Sequence, residues 1–158
     1  MSYLHHWEFT PADPAYATAW PAILDSTRAV IAHVRGAGVV IAGPDGLHRP
    51  LIDRVDGVSF NGDATTDLDY EELYLPAPGG QATPMFAFCK TNAKPYDLAV
   101  TALLLRVYLL IPKTFAIDSD GSWDRDWAPA RKVLADLYGT PAPSCPFRRT
   151  SGRSGSVR

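Results

Sequence analysis

Cysteine is scarce in this chain: two occur in 158 residues, too few for a disulfide scaffold. Cys89 lies in the apolar run Met85 to Cys89, the setting of a buried free thiol, and Cys145 lies in a Pro-rich segment. Both read as reduced intracellular thiols, with a mutual disulfide as the lesser alternative. Long apolar runs are missing too. The longest, Leu98 to Ile111, carries Arg106 and falls short of the ~20 residues of a membrane span. Met1 to Phe9 shows no basic stretch followed by an apolar one, so no secretory signal is read there. A cytoplasmic protein with no membrane segment is the expectation. There is no Gly-rich phosphate loop, no His-x-x-x-His or paired-Cys spacing for zinc, and no Gly-x-Ser-x-Gly elbow. No metal ligand set and no cofactor is assigned from the residues.

What is present is globular in character. The composition is 46% hydrophobic and 20% charged, and the length suits one domain with one core. The net charge of −2 argues against direct nucleic-acid binding. That charge is unevenly spread. Residues 1–83 carry 11 acids and 4 bases, and residues 84–158 carry 6 acids and 11 bases, which predicts an electrically polarised molecule.

Apolar spacing through Tyr16, Trp20, Ile23, Thr27, Val30 and Val34 predicts a helix over 14–35, ended by Gly36 and Gly38. Pro21 either starts it, with a separate turn before, or kinks a longer helix. Val39 to Ala42 reads as a short strand, Gly43-Pro44-Asp45-Gly46 as a turn, and His48 to Ile52 as the hairpin partner. Gly57 to Phe60 and Glu72 to Leu75 are further strands, with an acidic loop or short helical turn between them. Pro76 to Pro84 reads as a loop. Met85 to Cys89 follows as a central strand, and Lys94-Pro95 opens a helix reaching Ile111. Thr114 to Ile117 is then a strand, and Trp123 to Tyr138 is a last helix stopped by Gly139. A strand–helix–strand unit is normally a parallel crossover. The expected class is therefore α+β: one domain over 1–139, a mixed β-sheet, and a C-terminal strand–helix–strand–helix unit packed by helices. Residues 140–158, rich in Pro, Ser and Arg, read as a disordered tail.

If the strands at 85–89 and 114–117 are parallel neighbours, the polar corners behind them share one end of the sheet. Open α/β sheets place ligands there. Lys90, Thr91 and Lys94 at a helix start suit a phosphate or carboxylate. The plainer alternative is that Thr91 or Asn92 caps the helix while the lysines face water. Asp97 in the first turn favours the helix dipole and is within reach of either lysine. Asp118 and Asp120 precede Gly121 and have the oxygens to hold a divalent cation, although turn and capping duty is the plainer use. Asn61 ends another strand and would join them in one polar pocket. The histidines stand apart: His5 and His6 are adjacent near a terminus, where their side chains would diverge in a strand. Asp53 to Glu72 sets seven acids against Arg54, a solvated face or a docking surface for a basic partner.

The combination Phe88-Cys89-Lys90-Thr91, Lys94-Pro95-Tyr96-Asp97, Ser119-Asp120-Gly121 and Trp127 resembles a family of small uncharacterised bacterial and phage proteins. Gly43-Pro44-Asp45-Gly46 and Phe60-Asn61-Gly62-Asp63 are similar to its earlier part, so the likeness spans about residues 40 to 138. The resemblance implies a bacterial or phage setting and brings no activity and no catalytic residues. Three functional readings follow. The first is a cytoplasmic binding module, contacting a protein or a small anionic ligand through Lys90, Thr91, Lys94, Asp97, Asp118, Asp120 and Asn61. The second is a small metal-assisted hydrolase acting on a phosphate-containing substrate. The third is an acidic inhibitor of a nucleic-acid-binding protein. The apolar helix and four tryptophans leave a homodimer open.

Overall fold

Leu4-His5-His6-Trp7-Glu8-Phe9 alternates so that His5, Trp7 and Phe9 share one side of an extended chain, and all three are buried. This strand was not in the expected order of elements, and it reorganises the sheet. The computed structural model describes residues 3–139, 141 and 143–148. In chain order the elements are β1 (Leu4–Phe9), α1 (Pro14–Gly36), β2 (Leu51–Asp53), β3 (Gly57–Phe60), β4 (Leu73–Leu75), β5 (Met85–Lys90), α2 (Asp97–Leu110), β6 (Ala116–Ser119) and α3 (Ala128–Tyr138), with a 3-10 turn at Ala64–Thr66. The fold is α+β, with three helices and two small three-stranded sheets.

The strand–helix–strand–helix unit β5-α2-β6-α3 forms, but β5 and β6 are not neighbours. β1 lies between them and pairs antiparallel with both, in the order β5-β1-β6. The expected mixed pairing is thus replaced by two antiparallel ones, and the strand expected at the centre stands at the edge. β5 and β6 still run the same way, so their C-terminal corners do lie at one end of the sheet. The second sheet has the order β2-β3-β4 and is antiparallel throughout.

α1 starts on Asp13, whose Oδ1 accepts the Ala15 N–H at 2.9 Å, with Pro14 in its first turn. Pro21 sits inside one continuous helix and faces solvent, so its ring displaces no packed side chain. Val39 to Ala42 does not form the expected strand. Only Ala42 pairs, with Asn61, because the Gly43 N–H closes on the His48 carbonyl at 2.5 Å and turns the segment back on itself. The expected hairpin partner begins at Leu51 and pairs with β3 instead.

α2 is buried continuously from Ala99 to Leu105 and again at Val107, because α1, α3 and β6 all pack against it. Its one basic residue is accommodated at the rim: the Arg106 Nε–H donates to Ser26 Oγ at 3.1 Å, and the guanidinium lies 3.8 Å over the Tyr138 ring. Tyr16 and Trp20 tie α1 to the second sheet, donating to the Pro76 and Arg54 carbonyls at 2.7 and 3.0 Å. Beyond the expected boundary at Gly139, Phe147 is buried against Trp123 and Trp127, with ring centroids 5.7 and 5.1 Å away. Residues 149–158, where the rest of the expected tail falls, lie outside the described residues. Among the described residues no helix is long and apolar enough to cross a membrane.

Candidate functional site

Because β1 separates β5 from β6, its first residues enter the polar corner from between the two strands. His5 faces inward, opposite Cys89 on one side and Ser119 on the other. Its Nδ1 lies 2.8 Å from Ser119 Oγ and its Nε2 lies 2.6 Å from Asp97 Oδ1. Thr91 donates its hydroxyl to the same Asp97 oxygen at 2.6 Å. Ser119 Oγ in turn accepts the Gly121 N–H at 2.8 Å and the Trp127 indole N–H at 3.0 Å. Those two bonds fill both acceptor positions of the hydroxyl, so its own hydrogen goes to His5 Nδ1. The ring therefore carries its hydrogen on Nε2 and donates it to Asp97. Every donor in this chain has one acceptor.

Ser119, His5 and Asp97 stand in the order of a hydrolytic triad, with the ring nitrogens exchanged. The nucleophile of a triad must meet a substrate, whereas Ser119 and His5 have no exposed surface. The chemistry this arrangement performs is internal. It fastens the start of β1 to the end of β6 and to the first turn of α2.

The backbone around the corner is bent to serve the same purpose. Asn92 and Ala93 both have positive φ, +50° and +57°, a left-handed pair that costs about 1 kcal/mol per residue. The Thr91 and Asn92 N–H groups both reach the Tyr3 carbonyl at 3.1 Å, and the Asn92 side chain accepts the Tyr3 N–H at 3.3 Å. Neither Thr91 nor Asn92 caps α2. Tyr96 holds the cap position without a side-chain bond, and the first N–H groups of the helix donate to the carbonyls of Lys94, Pro95 and Tyr96. The helix start is closed to an anion, and Asp97 already supplies the negative charge there. Burial first, then the nearby carboxylates of Asp97, Asp126 and Asp120, hold the Tyr3 hydroxyl well above its ordinary range.

Of the residues expected to converge, Thr91 and Asp97 do. Lys94 Nζ reaches away to the Asp67 carbonyl at 2.7 Å. Lys90 bonds Glu71 through its backbone, N–H to Oε1 at 2.8 Å, and alternation turns its side chain to the outer face. Asp118 and Asp120 flank the inward Ser119 and so also point outward. Asp118 accepts the Ser119 N–H at 2.9 Å and lies 4.0 Å from His6 Nε2, and Asp120 accepts the Leu4 N–H at 3.2 Å. Lys90 and these acids are separated by β1, about 10 Å apart at two strand spacings. Among the described residues no three His, Cys, Asp or Glu side chains gather as a metal site. Asn61 is elsewhere. Its amide donates to the Pro44 and Tyr70 carbonyls at 3.1 and 3.0 Å and accepts from the Gly62 and Tyr70 N–H groups at 2.7 and 3.0 Å, so it latches two loops together.

Part of the acidic stretch is used in the same local fashion. Asp53 holds the Val55 and Asp56 N–H groups, Asp63 holds Thr65 and Thr66, and Glu72 accepts from the Ser59 hydroxyl. These backbone and hydroxyl donors hold the Asp53 and Asp63 carboxyls below their ordinary range.

The feature that sequence reasoning missed is the other face of the sheet. The helices cover the side bearing His5, Trp7 and Phe9. On the outer side His6 lies between Phe88 and Asp118, and Glu8 between Phe86 and Ala116. Phe86 and Phe88 are 66% and 62% exposed, and the Phe88 ring centroid is 6.0 Å from that of His6. The signal was legible: Met85-Phe86-Ala87-Phe88-Cys89 can bury both phenylalanines or Cys89, but not both sets, in a strand covered on one face. Across this surface the described chain brings back one of its own residues. Arg148 Nη1 bonds Glu8 Oε1 at 2.6 Å. A slot of about 80 Å³ between Phe86, His6, Asp118 and Arg148 adjoins a cavity of about 420 Å³ at the far end of the sheet, and the two share Glu8, Ala116 and Arg148. Comparison with protein-family models, with curated proteins and with solved structures returned no match.

Proposed function

We propose that the protein is a binding module whose open sheet face receives an arginine-bearing segment of a partner polypeptide. The observation that carries this reading is the seating of Arg148 on Glu8, in a slot shared with the exposed Phe86. Phenylalanine faces attract a guanidinium by cation–π interaction, and a carboxylate adds a charge-assisted bond. Arg148 marks in cis the carboxylate bond that a partner's arginine would use in trans, with the phenylalanine faces left for the partner's guanidinium to cover. The adjoining cavity, with Tyr108, Pro112 and Phe147 in its wall, offers room for the residues flanking that arginine. Two cysteines without a disulfide suit a cytoplasmic setting, and the motif resemblance suits a bacterial or phage one.

The test uses fluorescent hexa-arginine as the probe, with hexa-glutamate as the control, read by anisotropy on the full chain. Hexa-arginine binds in a saturable way, and the double variant Phe86→Ser/Phe88→Ser weakens it about tenfold or more. Arg148→Ala tightens it, because the variant frees Glu8 from a competitor held at high effective concentration. Equal affinity across the three proteins, or an affinity unchanged by vacating Glu8, contradicts the assignment.

A further inference from the structure

The first 83 residues hold no lysine and four arginines, Arg28, Arg35, Arg49 and Arg54. Three of them line one cavity. Arg28 and Arg35 lie two turns apart along the exposed side of α1, and Arg49 enters from the segment leading into β2. Together they surround a cavity of about 260 Å³ floored by Ile31, Pro50 and Ile52, with no acid in its lining. Through Arg35 and Arg49 it adjoins a wider groove of about 670 Å³, walled by Val40, Leu47 and His48. Val40 and Leu47 are exposed apolar side chains there.

Chance does not favour this gathering, since acids outnumber bases by 11 to 4 over the same residues. The acids close to the groove are engaged. Asp25 lies 3.4 Å from Arg28. Asp45 is held by the Leu47 N–H, then by the His48 ring and the His48 N–H, which bring its carboxyl down to about 2. Asp63, at the rim of the wider part, accepts from Thr65 and Thr66. Arg35 is fixed in place by a bond of 2.6 Å to the Ile41 carbonyl. Arg49 forms no ion pair or side-chain hydrogen bond among the described residues.

We infer that this groove binds a phosphomonoester with an apolar body. Guanidinium forks converging from two elements match the three oxygens of a phosphate, and the apolar wall at Val40 and Leu47 accepts the rest of the ligand. This site is separate from the sheet face, so neither proposal depends on the other.

Phenyl phosphate is the probe, titrated into the full chain by amide NMR, with phenol and inorganic phosphate as comparisons. Saturable shifts are expected at residues 28–35 and 40–52, with a Kd of about 1 mM or tighter at low salt. Phenol produces none, and inorganic phosphate binds more weakly than phenyl phosphate. Arg49→Ala, at an exposed position that leaves the spectrum otherwise intact, weakens binding about tenfold, and Arg28→Ala weakens it as well. No saturation by about 10 mM phenyl phosphate, shifts centred on Lys90 and Lys94 instead, or binding unaffected by Arg49→Ala overturns the inference. Equal affinity for inorganic phosphate overturns the role given to the apolar wall.

Discussion

His5→Ala is expected to lower the free energy of unfolding by about 4 kcal/mol, the range of a broken buried polar network. The ring makes two bonds, to Ser119 at 2.8 Å and Asp97 at 2.6 Å. Its removal takes the bond to Nδ1 away from a fully buried Ser119 hydroxyl. It also opens a void where Tyr3 and Trp127 now pack edge-on, with ring centroids 5.2 and 5.3 Å away. Variants at Asp97 separate the parts. Both His5 and Thr91 bond the same oxygen, Oδ1, and an asparagine keeps that acceptor. Asp97→Asn is therefore expected to cost about 1 kcal/mol and Asp97→Ala about 3 kcal/mol. Urea unfolding of the three variants measures all of this. A loss below about 1 kcal/mol in His5→Ala means that the network is ornament and the corner is held by something else.

Gly62→Ala carries the next largest effect, about 3 kcal/mol. A Cβ at this position would overlap the Leu68 carbonyl oxygen and stand 2.8 Å from Tyr96 Cδ1. Neither obstacle is able to retreat. Leu68 is backbone, tied through its N–H to the Asp63 carbonyl at 2.8 Å. Tyr96 is fully buried and donates its hydroxyl to the Glu71 carbonyl at 2.5 Å. Gly36 is the control, since nothing lies within 4 Å of a Cβ there, and Gly36→Ala should stay within about 0.5 kcal/mol of the parent. Equal unfolding midpoints for the two variants would contradict the close approach at Gly62.

These effects show which parts of the molecule were legible in its sequence. α1 could be read almost residue by residue, because a 3.6-residue period over many turns is a strong signal and one exposed proline does not erase it. α2 was legible as buried on several sides from its apolar circumference. The polar corners were placed at one end of the sheet on the premise that β5 and β6 are neighbours; they are not, and the corners share an end because both strands pair antiparallel with β1. β1 was not legible. Its inward face begins with a histidine, and a polar residue at a core position hides the alternation that Trp7 and Phe9 continue. Missing that strand put β5 at the centre of the sheet, and so concealed that Phe86 and Phe88 face solvent. The role of His5 depended on Asp97 and Ser119, 92 and 114 positions away, and only the paired strands bring them together. The three arginines of the groove were equally invisible, because one comes from a loop and two from a helix that meets it only in the folded chain.

On the function proposed above, one face of the sheet is an internal lock and the other is an open binding surface. Amide NMR of the full chain during titration with hexa-arginine tests that division most directly. Shifts are predicted along the outer face, at His6, Glu8, Phe86 and Phe88, with His5, Thr91, Asp97 and Ser119 unmoved. Shifts centred on the corner residues Lys90 to Asp97, with the outer face silent, would contradict it.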